Sequence, residues 1–291
     1  MIYEVSHRTV YRYSQPVSIS HHLLHLTPRP AVFQTCRDSA IELAPAPSVR
    51  APGTDYFGNP TTFVTVQQNH VELVLHALSI IEVEPREVPE AAATPAWEAV
   101  RDRAQDERSP EALEALEFAF ASPYVPLLPE LRAYAARSFT PGRPVLEAAR
   151  ELTHRVFADF KYDPTATTLT TGVAEAFALR RGVCQDFAHI ELACLRALGL
   201  PSRYVSGYLV TRPPEGTERL VGADASHAWL SLWVPGHDWV DLDPTNDLIP
   251  GDEHITVAWG RDYGDVSPVS GVMFGGGEHQ VSVAVDVVRV G

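Results

Sequence analysis

Gly182-Val183-Cys184-Gln185-Asp186-Phe187-Ala188-His189 decides the reading of this chain, because it sets a cysteine where an apolar-periodic helix begins. From Cys184 onward Phe187, Ile190, Cys194, Leu195 and Leu198 recur at helical spacing, and Gly199 and Pro201 end the run. A thiol at a helix N-terminus meets unpaired backbone N–H groups and the positive end of the helix dipole, and both favour the thiolate. Arg180, Arg181 and Gly182 read as a turn that delivers the chain to the helix and adds positive charge. Free cysteines are also common as buried small hydrophobes. The helix alone therefore leaves nucleophile and core residue both open.

Downstream, Ser226-His227-Ala228-Trp229-Leu230-Ser231-Leu232-Trp233-Val234 and Trp239-Val240-Asp241-Leu242-Asp243-Pro244-Thr245-Asn246 read as two strands joined by a Pro-Gly turn. Cysteine, histidine and aspartate thus follow one another on a helix start and two consecutive strands. Acyl chemistry needs each of them: a thiolate to attack the acyl carbon, an imidazole to carry the proton, and a carboxylate to fix the imidazole's tautomer. Trp229, two residues beyond His227 and on the same face, would shield the imidazole from water. His189 competes for the role of base. Five residues along a helix, however, place it about 140° round the axis and about 7.5 Å from Cys184 along it, where it cannot face the thiol. His189 and Asp186 read instead as a helix-surface or second-layer pair. Asp241 and Asp243 share a strand face, so alternation does not choose between them.

At these residues the sequence resembles the transglutaminase-like superfamily of papain-like fold, whose core shows G-V-C-x-(D)-x-A, then H-A-W, then D-P-T. Cys184, His227 and Asp243 occupy those three places, which selects Asp243 over Asp241. The likeness continues through Gly199-Leu200-Pro201-Ser202-Arg203-Tyr204-Val205-Ser206-Gly207-Tyr208, similar to the strand after the nucleophile helix, and covers about Val145 to Asp247. Met1 to about Pro85 resembles the β-rich region that precedes this core in many bacterial members. The resemblance implies acyl transfer from a peptide or protein amide through a thioester, either to water (peptidase or amidase) or to an amine acceptor (protein-glutamine transamidase). It implies an oxyanion hole built from the backbone N–H of Cys184 and an upstream donor, for which Tyr162 in Phe160-Lys161-Tyr162-Asp163 is the candidate. Members that use calcium carry acidic loops that do not map onto this sequence, so no metal and no other cofactor is expected. A catalytically silent binding module on the same fold and amide-bond formation in a peptide-assembly pathway are the alternatives. Silent members typically lose the cysteine or the histidine, and this chain has both.

The choice of Asp243 carries a geometric demand. A four-residue hairpin loop, residues 235–238, would set Asp243 opposite Leu230 and facing away from His227. An odd loop with Val234 paired to Asp238 sets it opposite Trp229, diagonal to His227 and about 7 Å away at Cβ. An odd-loop or bulged register is therefore expected.

Composition fits a soluble two-part enzyme. A chain of 291 residues exceeds the size at which single cores stop growing. With 23 Lys and Arg against 37 Asp and Glu the net charge is −14, which argues against nucleic acid or anionic membrane as a partner. The N-terminus lacks a basic and then apolar leader, and no apolar run is long enough to span a bilayer, so a cytoplasmic location is expected. Cys36, Cys184 and Cys194 contain no C-x-x-C pair and fit neither a disulfide scaffold nor a cysteine-based zinc site. His21 and His25 would point to one side of a strand and His22 to the other, a poor metal set.

An α+β organisation follows: a β-rich, sandwich-like N-terminal domain over 1–85, a helical connection over 86–143, a papain-like transglutaminase core over 144–274, and a C-terminal strand over 275–291. Alternating runs at Ile2 to Tyr13, Ser18 to Leu26, Ser39 to Leu43, Thr62 to Gln67 and Val71 to Val83 supply the first part. Helical patterns lie around Pro110 to Phe120, Pro129 to Ser138 and Pro144 to Phe160, each opened by proline. The final alternation, His279 to Val290, is expected to return to the N-terminal sheet through Gly275-Gly276-Gly277.

Overall fold

The computed structural model describes residues 1–210 and 226–291. Five strands come first: β1 (Ile2–Leu24), β2 (Gln34–Ala44), β3 (Val49–Thr54), β4 (Pro60–Val66) and β5 (His70–Val83). Helices α1 (Trp97–Asp106), α2 (Pro110–Glu117), α3 (Pro129–Ala135) and α4 (Val145–Asp159) follow, then the short β6 (Lys161–Tyr162), α5 (Val173–Leu179), β7 (Arg181–Gly182) and α6 (Cys184–Ala197). Next are β8 (Ser202–Leu209), β9 (Ser226–Trp233), β10 (Trp239–Leu242) and β11 (His254–Gly260), and finally α7 (Tyr263–Val266), β12 (Val269–Gly275) and β13 (His279–Arg289).

The N-terminal region is an antiparallel curled sheet in the order β2-β5-β1-β4-β3, with β12 and β13 both added to β1. The sequence suggests two strands, at Ile2 to Tyr13 and Ser18 to Leu26. One continuous β1 forms instead, because the ladder to β5 slips between Arg12 and Val17. Pro16 falls in that slip, where its missing N–H breaks no ladder bond. Leu24 and Leu26 pack with Leu73, Leu75, Val64 and Val66 in the sheet's own core. The returning chain joins this sheet earlier than Gly275: β12 already pairs Val269 with Leu24 and Gly275 with Val17. Gly275, Gly276 and Gly277 then take φ of 96°, 88° and 61°, and β13 runs back from His279 opposite Tyr13 to Arg289 opposite Tyr3. A 23-residue β1 presents a long edge, and two strands rather than one are needed to cover it.

The catalytic-type region has a four-stranded antiparallel sheet, β10-β9-β8-β11, packed against α6. α6 is buried on every side from Asp186 to Arg196, so it is a central helix and not an amphipathic surface one. Besides the core of its own, the N-terminal sheet shares a second core with the rest of the chain. Tyr3, Val5, Ile81, Val83, Val285 and Val287 of the N-terminal sheet join Val100, Leu131, Leu146, Leu152 and Leu192 in one continuous apolar cluster.

Candidate active site

Cys184 is the first residue of α6. The turn before it is held by Asp186, whose carboxylate accepts from the Val183 N–H at 2.8 Å and from the Thr167 hydroxyl at 2.6 Å. Residue 182 must be glycine because a Cβ there would collide with that carboxylate. β7 pairs in parallel with β6, which brings Tyr162 beside Gly182 and the nucleophile turn.

His227 is the second residue of β9, and the hairpin to β10 takes the odd-loop register, with Trp239 opposite Trp233 and Asp241 opposite Ser231. The Val234 N–H donates to Asp238 O at 2.9 Å, and the turn is completed by Gly236 at φ 83° and Asp238 at φ 59°. Continued past β10, this register sets Asp243 diagonal to His227. The His227 Nε2–H donates to Asp243 Oδ2 at 2.7 Å, and the Cys184 thiol borders the same cavity, near enough to the imidazole to raise its pKa. Asp241 has different partners: it accepts from Arg86, from the Ser231 hydroxyl, and from Trp229 Nε1–H at 2.8 Å.

Asp243 is fully buried and heavily hydrogen-bonded. Its Oδ1 accepts from the Thr245 N–H at 2.9 Å, and its Oδ2 accepts from Asn246 Nδ2–H at 2.7 Å and His254 Nε2–H at 3.1 Å. Burial alone would raise its pKa, but the His227 and His254 hydrogen bonds hold the carboxyl well below the usual range. For His227 burial works downward, and the Asp243 hydrogen bond with the neighbouring Cys184 overcomes it and pushes the imidazole up to about 10. The arrangement therefore stabilises a cation between a thiol and a carboxylate.

His254 is the member of this cluster that sequence reasoning missed. It lies at the start of β11, two strands across the sheet from His227, with its ring edge-on to Trp229 at 5.2 Å. Asn246 is also new, though Asp243-Pro244-Thr245-Asn246 has the side-chain-to-backbone turn chemistry that places it. His227, Asp243 and His254 offer ligand atoms within 4.8 Å of one another. Their 2.7 and 3.1 Å contacts are hydrogen bonds that a cation would have to displace.

His189 is neither on the helix surface nor paired with Asp186. It is buried between Tyr124 and Tyr204, its Nε2 accepts from the Tyr263 N–H at 3.2 Å, and burial drops its pKa to about 3. Tyr162 is half-exposed, edge-on to Phe187, and near enough to Cys184 that a thiolate, after burial, raises its phenol pKa. His21 meets Thr65 and His25 meets Asp55, so the early histidines face different partners.

A central helix opening on a cysteine, packed on an antiparallel sheet that brings a hydrogen-bonded His-Asp pair to it, defines the papain-like class. The chain belongs to the transglutaminase-like superfamily: residues 132–244 match the model of that superfamily, and residues 3–82 match the bacterial transglutaminase-like N-terminal region. It is 42% identical over 294 residues to Rv2569c of Mycobacterium tuberculosis, covering 98% of this chain and 92% of that one. A shorter match, 34% over 99 residues, is to a protein-glutamine gamma-glutamyltransferase of Pseudomonas aeruginosa and covers 31% of this chain and 15% of that protein. A solved structure from Cytophaga hutchinsonii, of a candidate cysteine protease, shares the fold at TM-score 0.78 with 19% identity, over 99% of this chain and 90% of that one.

Proposed function

We propose that this protein is a cysteine-dependent acyltransferase or hydrolase that cleaves an amide through a thioester on Cys184, with His227 as proton carrier and Asp243 as its orienting partner. The observation that carries the reading is the His227 imidazole, hydrogen-bonded to a buried carboxylate and near enough to the helix-terminal thiol for the thiol to raise its pKa. Cys184 reacts as a thiolate paired with the His227 imidazolium, which holds the proton that left the thiol, and the thiolate attacks the amide carbon. The resulting oxyanion is met by the Cys184 N–H and by Tyr162. The C–N bond then breaks as His227 returns the proton to the leaving amine. Water or an amine next attacks the thioester, losing its proton to His227 as the C–S bond breaks, which restores the Cys184 thiolate beside the imidazolium. The resemblance to a protein-glutamine gamma-glutamyltransferase over 99 residues supports acyl transfer as the chemistry. Intact-protein mass spectrometry after exposure to a library of peptide amides is the test. An adduct of the acyl fragment on Cys184, absent in Cys184→Ala, is expected; a library that leaves wild-type mass unchanged refutes the reading.

A further inference from the structure

A cavity of about 540 Å³ opens over Cys184 and His227, within the about 300–1,000 Å³ typical of small-ligand sites. One wall comes from the catalytic-type region. The other is the N-terminal sheet, reached through β1 and its returning partner β13. Tyr11 stands opposite Val281 and Thr9 opposite Val283 in that ladder, so these side chains share one face. Further along β13 the same face is fully buried at Val285 and Val287, yet at Val281 and Val283 it is 49% and 54% exposed. The apolar strip thus runs out from the shared core and becomes bare where it borders the nucleophile.

The cavity's described lining contains no Asp, Glu, Lys or Arg, although the chain carries 23 basic and 37 acidic residues. Two of its titratable members on the N-terminal sheet, His7 and Tyr11, are held neutral as well. His7 hydrogen-bonds Tyr208 and Thr9, and burial, then His76, lowers its pKa to about 4. Burial pushes the Tyr11 phenol up to about 12. Along the strip of Tyr11, Val281 and Val283 a charged substrate side chain finds no carboxylate, lysine or arginine counter-ion among the described lining residues and loses its hydration, whereas an apolar one covers exposed valine and tyrosine surface.

We propose that Tyr11, Val281 and Val283 form a substrate subsite that accepts an uncharged apolar or aromatic side chain beside the amide presented to Cys184. The proposal rests on the acyl-transfer reading of Cys184 and deepens it: the substrate class is a neutral peptide amide with a bulky hydrophobic residue next to the bond attacked. The N-terminal sheet is then part of the substrate site and sets its specificity.

Binding is measured separately from turnover, by fluorescence polarisation with full-length Cys184→Ala and fluorescein-labelled tetrapeptide amides carrying Gly, Leu, Phe, Glu or Lys at each position in turn. At one position, Leu and Phe are expected to bind about tenfold tighter than Gly, with Glu and Lys no better than Gly. Val283→Asp in the same background, at a half-exposed position that leaves the thermal midpoint near the parent's, should abolish the Leu and Phe advantage and favour Lys. Equal binding across the panel, tighter binding of Glu or Lys by the parent, no measurable binding of any probe, or an unchanged preference in Val283→Asp overturns the subsite. Apolar-selective binding by Cys184→Ala without any acyl adduct on the wild-type enzyme overturns the acyl-transfer reading and leaves the subsite standing.

Discussion

At His227 two influences oppose each other, and their balance sets the pH range of the proposed chemistry. Burial favours the neutral ring, yet the Asp243 hydrogen bond and the adjacent Cys184 raise the pKa from 6.5 to about 10. The imidazolium therefore persists through neutral pH, and proton donation to a leaving amine fails only as pH rises through about 10. The stability sign agrees: a raised folded pKa contributes stability that is full below 6.5 and is lost as pH climbs through about 10. Asp243→Asn removes the carboxylate while keeping the shape. Turnover is expected to fall by about 10³–10⁴-fold, as when other catalytic triads lose their carboxylate, and the alkaline limb of kcat/KM to shift toward lower pH. Rates measured from pH 6 to 11 check both, and an alkaline limb that stays in place removes Asp243 from the role of orienting partner.

α6 carries a second ionisable group, Glu191, seven residues after Cys184 and so on nearly the same face two turns down. Its Oε1 accepts from the Thr153 hydroxyl at 2.7 Å, and its other oxygen is buried with no partner among the described residues. Burial, with lesser effects from Asp243 and Asp247, raises its pKa from 4.5 to about 8 against the Thr153 hydrogen bond. Between those pH values the folded chain holds a proton that the unfolded chain releases. Stability from this group is thus full below 4.5 and is lost as pH rises through about 8, with a slope approaching about 1.4 kcal/mol per pH unit. Glu191→Gln should flatten that slope, and urea denaturation at pH 5, 6, 7 and 8 reads it directly; parallel curves for variant and parent would show that Glu191 is ionised in the fold. The helix itself is legible in the sequence because its period and its stop at Gly199-Leu200-Pro201 are local signals. The β9–β10 hairpin is equally legible, since a Pro-Gly turn and one pairing demand fix its register. His189 is misread as a surface or second-layer partner of Asp186 because a helix buried all round shows no polar face to contradict that. His254 is illegible for a related reason: nothing in Asp252-Glu253-His254 reports that β11 will lie two strands from His227. β3, β12 and the full length of β1 likewise depend on pairings that only the assembled sheet defines.

Across the whole molecule, the N-terminal sheet and the catalytic-type sheet are tied together by a buried ion pair as well as by their shared apolar core. Arg86, three residues past the end of β5, stacks on Phe33 at 3.7 Å and donates to Asp241 on β10. Asp241 also takes the Trp229 and Ser231 donors, and Arg86 reaches His254 O at 3.4 Å. One guanidinium thus touches both β10, whose end leads to Asp243, and β11, which begins with His254. Both partners are largely buried, with side chains 11% and 7% exposed, so removing one strands the other in a poorly solvated site. Such a break typically costs about 3–5 kcal/mol, whereas replacing both members by neutral side chains is far milder. Asp241→Asn is therefore expected to destabilise the protein by roughly 3 kcal/mol, Arg86→Met by less because Trp229 and Ser231 still donate to the carboxylate, and the double variant by clearly less than the sum. Because Tyr3, Val5, Val285 and Val287 share their core with Leu146 and Leu192, every variant should unfold in one cooperative transition. A urea double-mutant cycle followed by both tryptophan fluorescence and far-UV circular dichroism checks this. Additive losses would mean that the ion pair contributes no coupling, and separated transitions would mean that the two sheets fold as independent units.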